Sequence, residues 1–287
     1  MAIASCMRGA RGIRGALWGM VACLAVAPIL AALLVAPTPA TASSADRCLA
    51  VASHKPLIQP ASFKIASLKK SEVRLTFVGH ATFLIESAGG IRIATDYNDY
   101  VKPAVVPDIV TMNRAHNSHF TDMPEPAIKH VLRGWGTASG AAITHDLEVG
   151  DVRVRNVVTN IRDYGGGTQL FANSIFIFEI AGLCIAHLGH LHHTLTPKHL
   201  EQIGQIDIAL VPVDGSYTLD LPGMIEVVKA LRARLIIPMH YFSTFGLNRF
   251  LDQLGAEFPV KHSSTPELIA SKSTLPPQPE ILVLPGN

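Results

Sequence analysis

Histidines recur in this chain where short apolar runs stop. His80 follows TFVG, His116 and His119 follow DIVTMN, His190 follows LCIAHLG, and His240 ends LIIPM. Within HLGHLHHTLT, His187, His190, His192 and His193 crowd into a single short stretch. A neutral imidazole is a common nitrogen ligand for transition metals and the usual proton carrier near neutral pH. Residues at the ends of separate strands can converge on one sheet edge, where open α/β structures place their sites. The chemistry on offer is therefore a metal centre with proton-transfer groups beside it. A single strand-end histidine is more often a satisfied polar residue; five in the same position argue for a shared site.

Not every histidine has an equal claim. On an extended strand residues 187 and 190 face opposite sides, so His187 is expected in the core or behind the site. His192 and His193 fall in the following loop, either lining a pocket mouth or simply solvated. Asp214-Gly215-Ser216-Tyr217 follows an apolar run and reads equally as a polar wall or as turn chemistry. His54, His130, His145, His199 and His262 have no motif context and read as surface residues.

The elements that must position these residues come in two groups. From Glu72, VRLTFVG, ATFLIES and IRIATD alternate with period two, the last two joined by Ala88-Gly89-Gly90. A second β-rich block follows at VRVRNVV, SIFIFEI and LCIAHLG, with Gly165-Gly166-Gly167 between the first two. The period then changes. TPKHLEQIG opens a helix with Thr196 as N-cap and Pro197 at its first position. IDIALVPV is an apolar strand, LDLPGMIEVVKALRA a helix, RLIIPMH a strand, FGLNRFLDQLG a helix and PEILVLP a last edge strand. Strands in two groups, each followed by helices, predict two sheets packed face to face with helices outside.

The start of the chain differs from the rest. Arg8, Arg11 and Arg14 precede an uncharged apolar run from Ala16 to Ala36, and Ala40-Thr41-Ala42 follows. That order predicts a secretory signal over residues 1–42, cleaved after Ala42; an uncleaved membrane anchor is the rival. Either version puts the folded part outside the cytoplasm, in the periplasm or beyond it. Residues 43–70 read as a linker or strap, and 71–287 as the folded domain. Without the three leader arginines the formal charge of +2 becomes −1, so no basic stripe argues for nucleic acid. A membrane enters only through an uncleaved leader. Cys48 and Cys184 remain after cleavage; an oxidising compartment would permit a bridge between them, but two free thiols with Cys184 in the core are expected, and no CxxC spacing suggests a cysteine metal site.

Seven segments in order, VGHATFLIES, IATDYND, DIVTMNRAHNSHFTD, NIRDYGGG…ANSIFIFE, HLGHLHHTLT, DIALVPVDGSYTLD and IIPMHY, resemble the metallo-β-lactamase superfamily. Their order and spacing are similar to the branch that includes ascorbate-6-phosphate lactonase-like proteins, over about residues 72–245. The resemblance implies an α/β fold, the four-layer αββα sandwich of the metallo-β-lactamase type. It also implies metals held between the sheets by histidines and aspartates, and a hydrolytic activity.

The chain departs from that pattern where the metals would sit. The hallmark HxHxDH is represented by Arg114-Ala115-His116-Asn117-Ser118-His119. Arg162 stands at the next ligand histidine, and Gly189-His190 replaces the pair that carries the bridging aspartate. The last ligand histidine is kept as His240. A guanidinium has no lone pair to give, so one of the two family metal sites should be lost. Arg114 and Arg162 could instead grip an anionic substrate group. What remains is one metal held by His119, His190 and His240, with His116 as a fourth ligand or a hydrogen-bonding neighbour. Three histidines and an open position suit zinc; manganese or another divalent ion is the alternative. Ser118 is too weak to count as a ligand. His80 is placed as a pocket-lining residue and Asp96 as the group that orients a ligand. With the hallmark aspartate absent, His116 or His192 must handle the proton. The expectation is an exported metal-dependent hydrolase, acting on a small ester, lactone or phosphate-bearing molecule. The alternative is a metal-binding protein without catalysis, or an inactive homologue.

Overall fold

The computed structural model describes residues 68–286, except 115, 138 and 164. The leader, its cleavage site and nearly all of the strap therefore lie outside the described residues. Those that are described begin with a β-rich run: β1 (Val73–Gly79), β2 (Thr82–Ser87), β3 (Arg92–Ala94), β4 (Ile109–Met112), β5 (His130–Arg133) and β6 (Asp146–Val149). Next come β7 (Val152–Arg162), β8 (Thr168–Ile180), β9 (Leu183–His187), α1 (Pro197–Ile203), β10 (Ile208–Pro212), α2 (Leu221–Leu231) and β11 (Leu235–Met239). The chain closes with α3 (Thr244–Leu254), β12 (Val260–His262), β13 (Glu267–Ala270) and β14 (Glu280–Val283).

Two sheets result. The smaller is ordered β13-β1-β2-β3-β4-β5 and the larger β12-β14-β11-β10-β9-β8-β7-β6. In β1, Val73, Leu75 and Phe77 are buried while the residues between them are half-buried, as period-two alternation requires. β10 and β11 pair in parallel and are buried at every residue, which is why their sequences show no alternation. Phe83 and Ile85 of one sheet meet Phe176, Phe178 and Ile185 of the other in a shared core. A fully buried phenylalanine there contributes roughly 1.5–3 kcal/mol.

Helices cover the far face of the larger sheet. Met224, Val227 and Leu231 of α2, with Leu247, Phe250 and Leu254 of α3, pack on Ala186, Val211 and Ile236. Their three- and four-residue spacing is the apolar stripe of an amphipathic helix. Thr196 caps α1 as expected, and His199 completes a capping box, so this histidine has a structural job. Over the far face of the smaller sheet, Tyr97, Ile128, Phe120 and Trp135 pack on Val110 and Met112. Among the described residues that fourth layer is irregular chain rather than helix.

Three expectations need correction. PEILVLP forms β14, which lies between β11 and β12 and is no edge; β12 is too short and polar to announce itself. The β7–β8 hairpin runs on to the Asp163–Gly167 turn, where exposed Arg162, Thr168, Gln169 and Leu170 interrupt the apolar pattern. Cys184 is disulfide-bonded rather than a free thiol. Its burial signals only an apolar setting, which a disulfide suits as well as a thiol.

Candidate metal centre

The C-terminal ends of β1, β3, β4, β9, β10 and β11 meet at one edge of the two sheets. They deliver His80, Asp96, the 113–119 segment, the 188–192 loop, Asp214 and His240. A cavity of about 730 Å³ opens there, lined among others by His80, Arg114, His116, His190, His192 and His240. His80 (φ 52°), Asp96 (φ 45°) and His240 (φ 55°) all adopt the left-handed backbone region. Each such residue costs on the order of 1–3 kcal/mol and persists only where surrounding contacts impose it. One such contact is the His240 amide donating to the His80 carbonyl at 2.7 Å.

One ligand atom from each of His80, His119 and His240 lies within 4.8 Å of the other two. Asp96 Oδ2 sits 2.7 Å from Nδ1 of His119, and Asp214 Oδ1 is 3.0 Å from Nδ1 of His240. The second is an ion-pair contact rather than an aligned hydrogen bond. A carboxylate at Nδ1 keeps the ring proton there and leaves Nε2 as a lone pair. Yet Nε2 of His119 and Nε2 of His240 face each other at 3.2 Å. Two lone pairs repel at that distance unless a cation lies between them. Two ligands on a tetrahedral ion, at metal–nitrogen distances of about 2.0–2.1 Å, stand about 3.4 Å apart. Nε2 of His80 is buried with no hydrogen-bond partner, and its ring is 4.2 Å from that of His240. These residues fit a bound metal ion.

Both carboxylates are themselves held. Asp96 accepts the Asn113 amide at 3.0 Å, and Asp214 accepts the amides of Ser216, Tyr217 and Thr218. Burial pushes the Asp96 carboxyl up to about 6, opposed by His187 and the Asn113 amide. Burial acts the same way on Asp214, but His240 and the Thr218 hydroxyl outweigh it and hold this carboxyl below its ordinary value. Burial and then neighbouring His240 take His80 down to about 3, and His119 is driven well below its ordinary value by the same causes. The imidazoles of His80 and His119 are therefore neutral at physiological pH, with lone pairs free of competing protons.

Beside the triplet, His190 and His192 have ring nitrogens and a guanidinium as partners in place of a carboxylate. Nδ1 of His190 is 2.6 Å from Nε2 of His192, and Nη1 of Arg114 lies 3.3 Å from the former and 3.4 Å from the latter. The Arg162 amide donates to Nδ1 of His192 at 3.0 Å, and its guanidinium donates to the carbonyls of Ser216 and Thr218. Burial, with His119 next, lowers His190; burial, then Arg114 and Arg162, takes His192 down to about 4. Gly189 is required here, because φ is +61° and a Cβ would collide with Asn113 and Asn173.

Most residues singled out in the sequence are brought together. His119 and His240 belong to the triplet, and Asp96 orients His119. His190 lies beside it, edge-on to His119 with ring centroids 4.8 Å apart. His116 is exposed at the cavity mouth, bonded to Ser118 Oγ at 3.0 Å. Arg114 and Arg162 both line the cavity, though Arg162 also ties down the 216–218 loop. His187 is fully buried and donates Nε2–H to the Ala81 carbonyl at 2.7 Å. His193 accepts the Asn160 amide outside the cavity lining. The sequence undervalued two groups: His80, read only as lining, and Asp214, read as wall or turn. The available signal was a histidine or aspartate directly after an apolar strand, shared with Asp96 and His240.

The beta-lactamase superfamily domain matches residues 74–240, and the chain belongs to that superfamily. It is similar to a metal-dependent hydrolase of Thermoplasma acidophilum, with 28% identity over 203 residues that cover 62% of this chain and 86% of the relative. A second metal-dependent hydrolase, from Nanoarchaeum equitans, is 23% identical over 184 residues, covering 59% of this chain and 84% of the relative. Among solved structures, a Thermotoga maritima protein assigned as a Zn-dependent hydrolase of the metallo-beta-lactamase superfamily is 30% identical, with a TM-score of 0.55. That match covers 75% of this chain and all of the other.

Proposed function

We propose that this metal-dependent hydrolase of the metallo-β-lactamase fold works with a single divalent ion, zinc in the first place, held by His80, His119 and His240. The observation that carries the reading is the pair of Nε2 atoms facing each other at 3.2 Å, with a carboxylate behind each ring. His80 joins the expected set because its buried Nε2 has no other partner. A divalent ion in such a site supplies Lewis acidity and activates water as a nucleophile near neutral pH.

The chain's own residues do the rest. Asp96 and Asp214 fix the ring orientations of His119 and His240. Arg114 places a permanent positive charge on the cavity wall, suited to a substrate carrying a carboxylate or phosphate. His116, exposed at the mouth, is placed to exchange protons with solvent. The substrate class is a small anionic ester or phosphate-bearing molecule, or a lactone as in the lactonase-like branch the sequence resembles.

Action outside the cytoplasm is supported by the leader-like start of the chain and by the disulfide at Cys184, since disulfides persist in oxidising compartments. The test is metal analysis of the purified protein together with turnover of p-nitrophenyl esters and phosphodiesters. One ion per chain and turnover that a chelator abolishes support the reading. An ion without turnover on any of these substrates favours a metal-binding protein, and no ion after reconstitution removes the metal reading.

A further inference from the structure

We propose that His190 is not a metal ligand but a hydrogen-bond donor to the substrate, held in that state by His192. The inference rests on the triplet of His80, His119 and His240 as the metal site, and assigns a role to the histidine standing beside it.

The assignment follows from counting protons along a short chain of contacts. The Arg162 main-chain N–H lies 3.0 Å from Nδ1 of His192. An amide N–H can only donate, so Nδ1 of His192 accepts and its ring proton is on Nε2. Nε2 of His192 is 2.6 Å from Nδ1 of His190, a distance that holds one proton. His192 supplies it, so Nδ1 of His190 accepts. Arg114, which can only donate, lies 3.3 Å from the same nitrogen and 3.4 Å from Nε2 of His192; with Nε2 of His192 protonated, its proton goes to the nearer Nδ1 of His190. The proton of a neutral His190 is therefore on Nε2, and a protonated nitrogen has no lone pair for a metal. Ligation through Nε2 would reverse the whole chain and set two N–H groups against each other across the His192–Arg162 contact.

The ring is anchored as well as polarised. The His190 amide donates to Oδ1 of Asn173 at 2.8 Å, and the neighbouring Gly189 packs so closely on Asn113 and Asn173 that a Cβ there would collide with both. The ring stands edge-on to both His119 and His240, with interplanar angles of 89° and 87°, and it lines the cavity. An N–H beside the metal centre, next to a guanidinium, suits an oxygen on which negative charge grows during attack, on a carbonyl or a phosphoryl group. His192 touches no substrate in this account; it is a positioning residue acting through His190.

The experiment uses full-length mature protein labelled with ¹⁵N-histidine, wild type and the variants His190→Ala, His190→Gln, His192→Ala and His119→Ala, with zinc alone as the metal probe. Circular dichroism checks folding, and His190→Gln serves if the alanine variant does not fold. Long-range ¹H–¹⁵N correlation spectra report which ring nitrogen holds the proton. The expected results are His190 protonated on Nε2 in the wild type and a mixture of tautomers in His192→Ala. Zinc affinity in the His190 variants should stay within about twofold of wild type while kcat falls about 10²–10³-fold; His119→Ala should lose zinc. Loss of zinc from folded His190 variants, or a zinc-shifted lone-pair signal at Nε2 of His190, would overturn the proposal. If wild type takes up no zinc, the metal reading fails by itself. The tautomer in the metal-free protein then still decides: Nδ1–H on His190 contradicts the assignment.

Discussion

In the metal triplet His119 and His240 have carboxylates behind them, Asp96 at 2.7 Å and Asp214 at 3.0 Å. Beside them, His190 has an imidazole and a guanidinium behind it, from His192 and Arg114. The residue type is the same in both places. What differs is the partner at Nδ1: a carboxylate keeps the proton there and frees Nε2, whereas an N–H donor takes the lone pair and sends the proton to Nε2. A ligand set therefore cannot be read from histidines alone. The group behind each ring decides which way its lone pair faces.

This contrast breaks most visibly on the carboxylate-backed side. His119→Ala is expected to weaken zinc binding by more than the roughly 10–100-fold that loss of an orienting partner costs, and to take turnover to background. Zinc content after dialysis against a weak chelator measures it. Asp96→Asn should fall within the 10–100-fold range, because the charge that holds the ring proton on Nδ1 is lost while the ring itself is kept. Asp214→Asn should cost less, since its contact with His240 is not an aligned hydrogen bond. Equal losses at the two positions would show that alignment is irrelevant here.

On the arginine side the effects should appear in substrate binding. Arg114→Ala is expected to raise KM for an anionic ester about tenfold relative to a neutral ester of the same alcohol, with zinc content unchanged. Arg162→Ala should instead loosen residues 214–218, because its guanidinium holds the Ser216 and Thr218 carbonyls. Faster amide exchange at those residues, without a change in the neutral-ester KM, is the expected reading.

The smallest effect concerns the metal-free protein and pH. Burial holds His80, His119, His187, His190 and His192 below the ordinary imidazole value of 6.5. Between the folded and unfolded values the unfolded chain binds more protons. Their contribution is therefore full above about pH 6.5 and is lost as pH falls below it. Asp96, raised from 3.8 to about 6, works in the opposite sense, as one group against five. The urea midpoint should drop from pH 7.5 to 6 and again to 5. A midpoint that holds level or rises would contradict the burial of these rings as neutral groups.

The sandwich was legible because its central strands are strongly patterned. VRLTFVG alternates and RLIIPMH is continuously apolar, and both became strands close to their expected bounds. β6 and β13 were not legible: they are four-residue strands at sheet edges, too short to show a period and mostly half-buried or exposed. At the site, sequence position identified which strand ends converge but not how each ring is turned. That depends on left-handed backbone at His80 and His240, and on hydrogen bonds made across 30 residues, as between His192 and Arg162. His80 was undervalued for this reason, and the tautomer of His190 had no signature in its neighbours.

The most direct test of the metal site is anomalous diffraction from zinc-loaded crystals. The account predicts one peak, about 2.0–2.1 Å from Nε2 of His119, Nε2 of His240 and a ring nitrogen of His80. A peak bonded to His190, or one that leaves His80 out of its ligands, would contradict it.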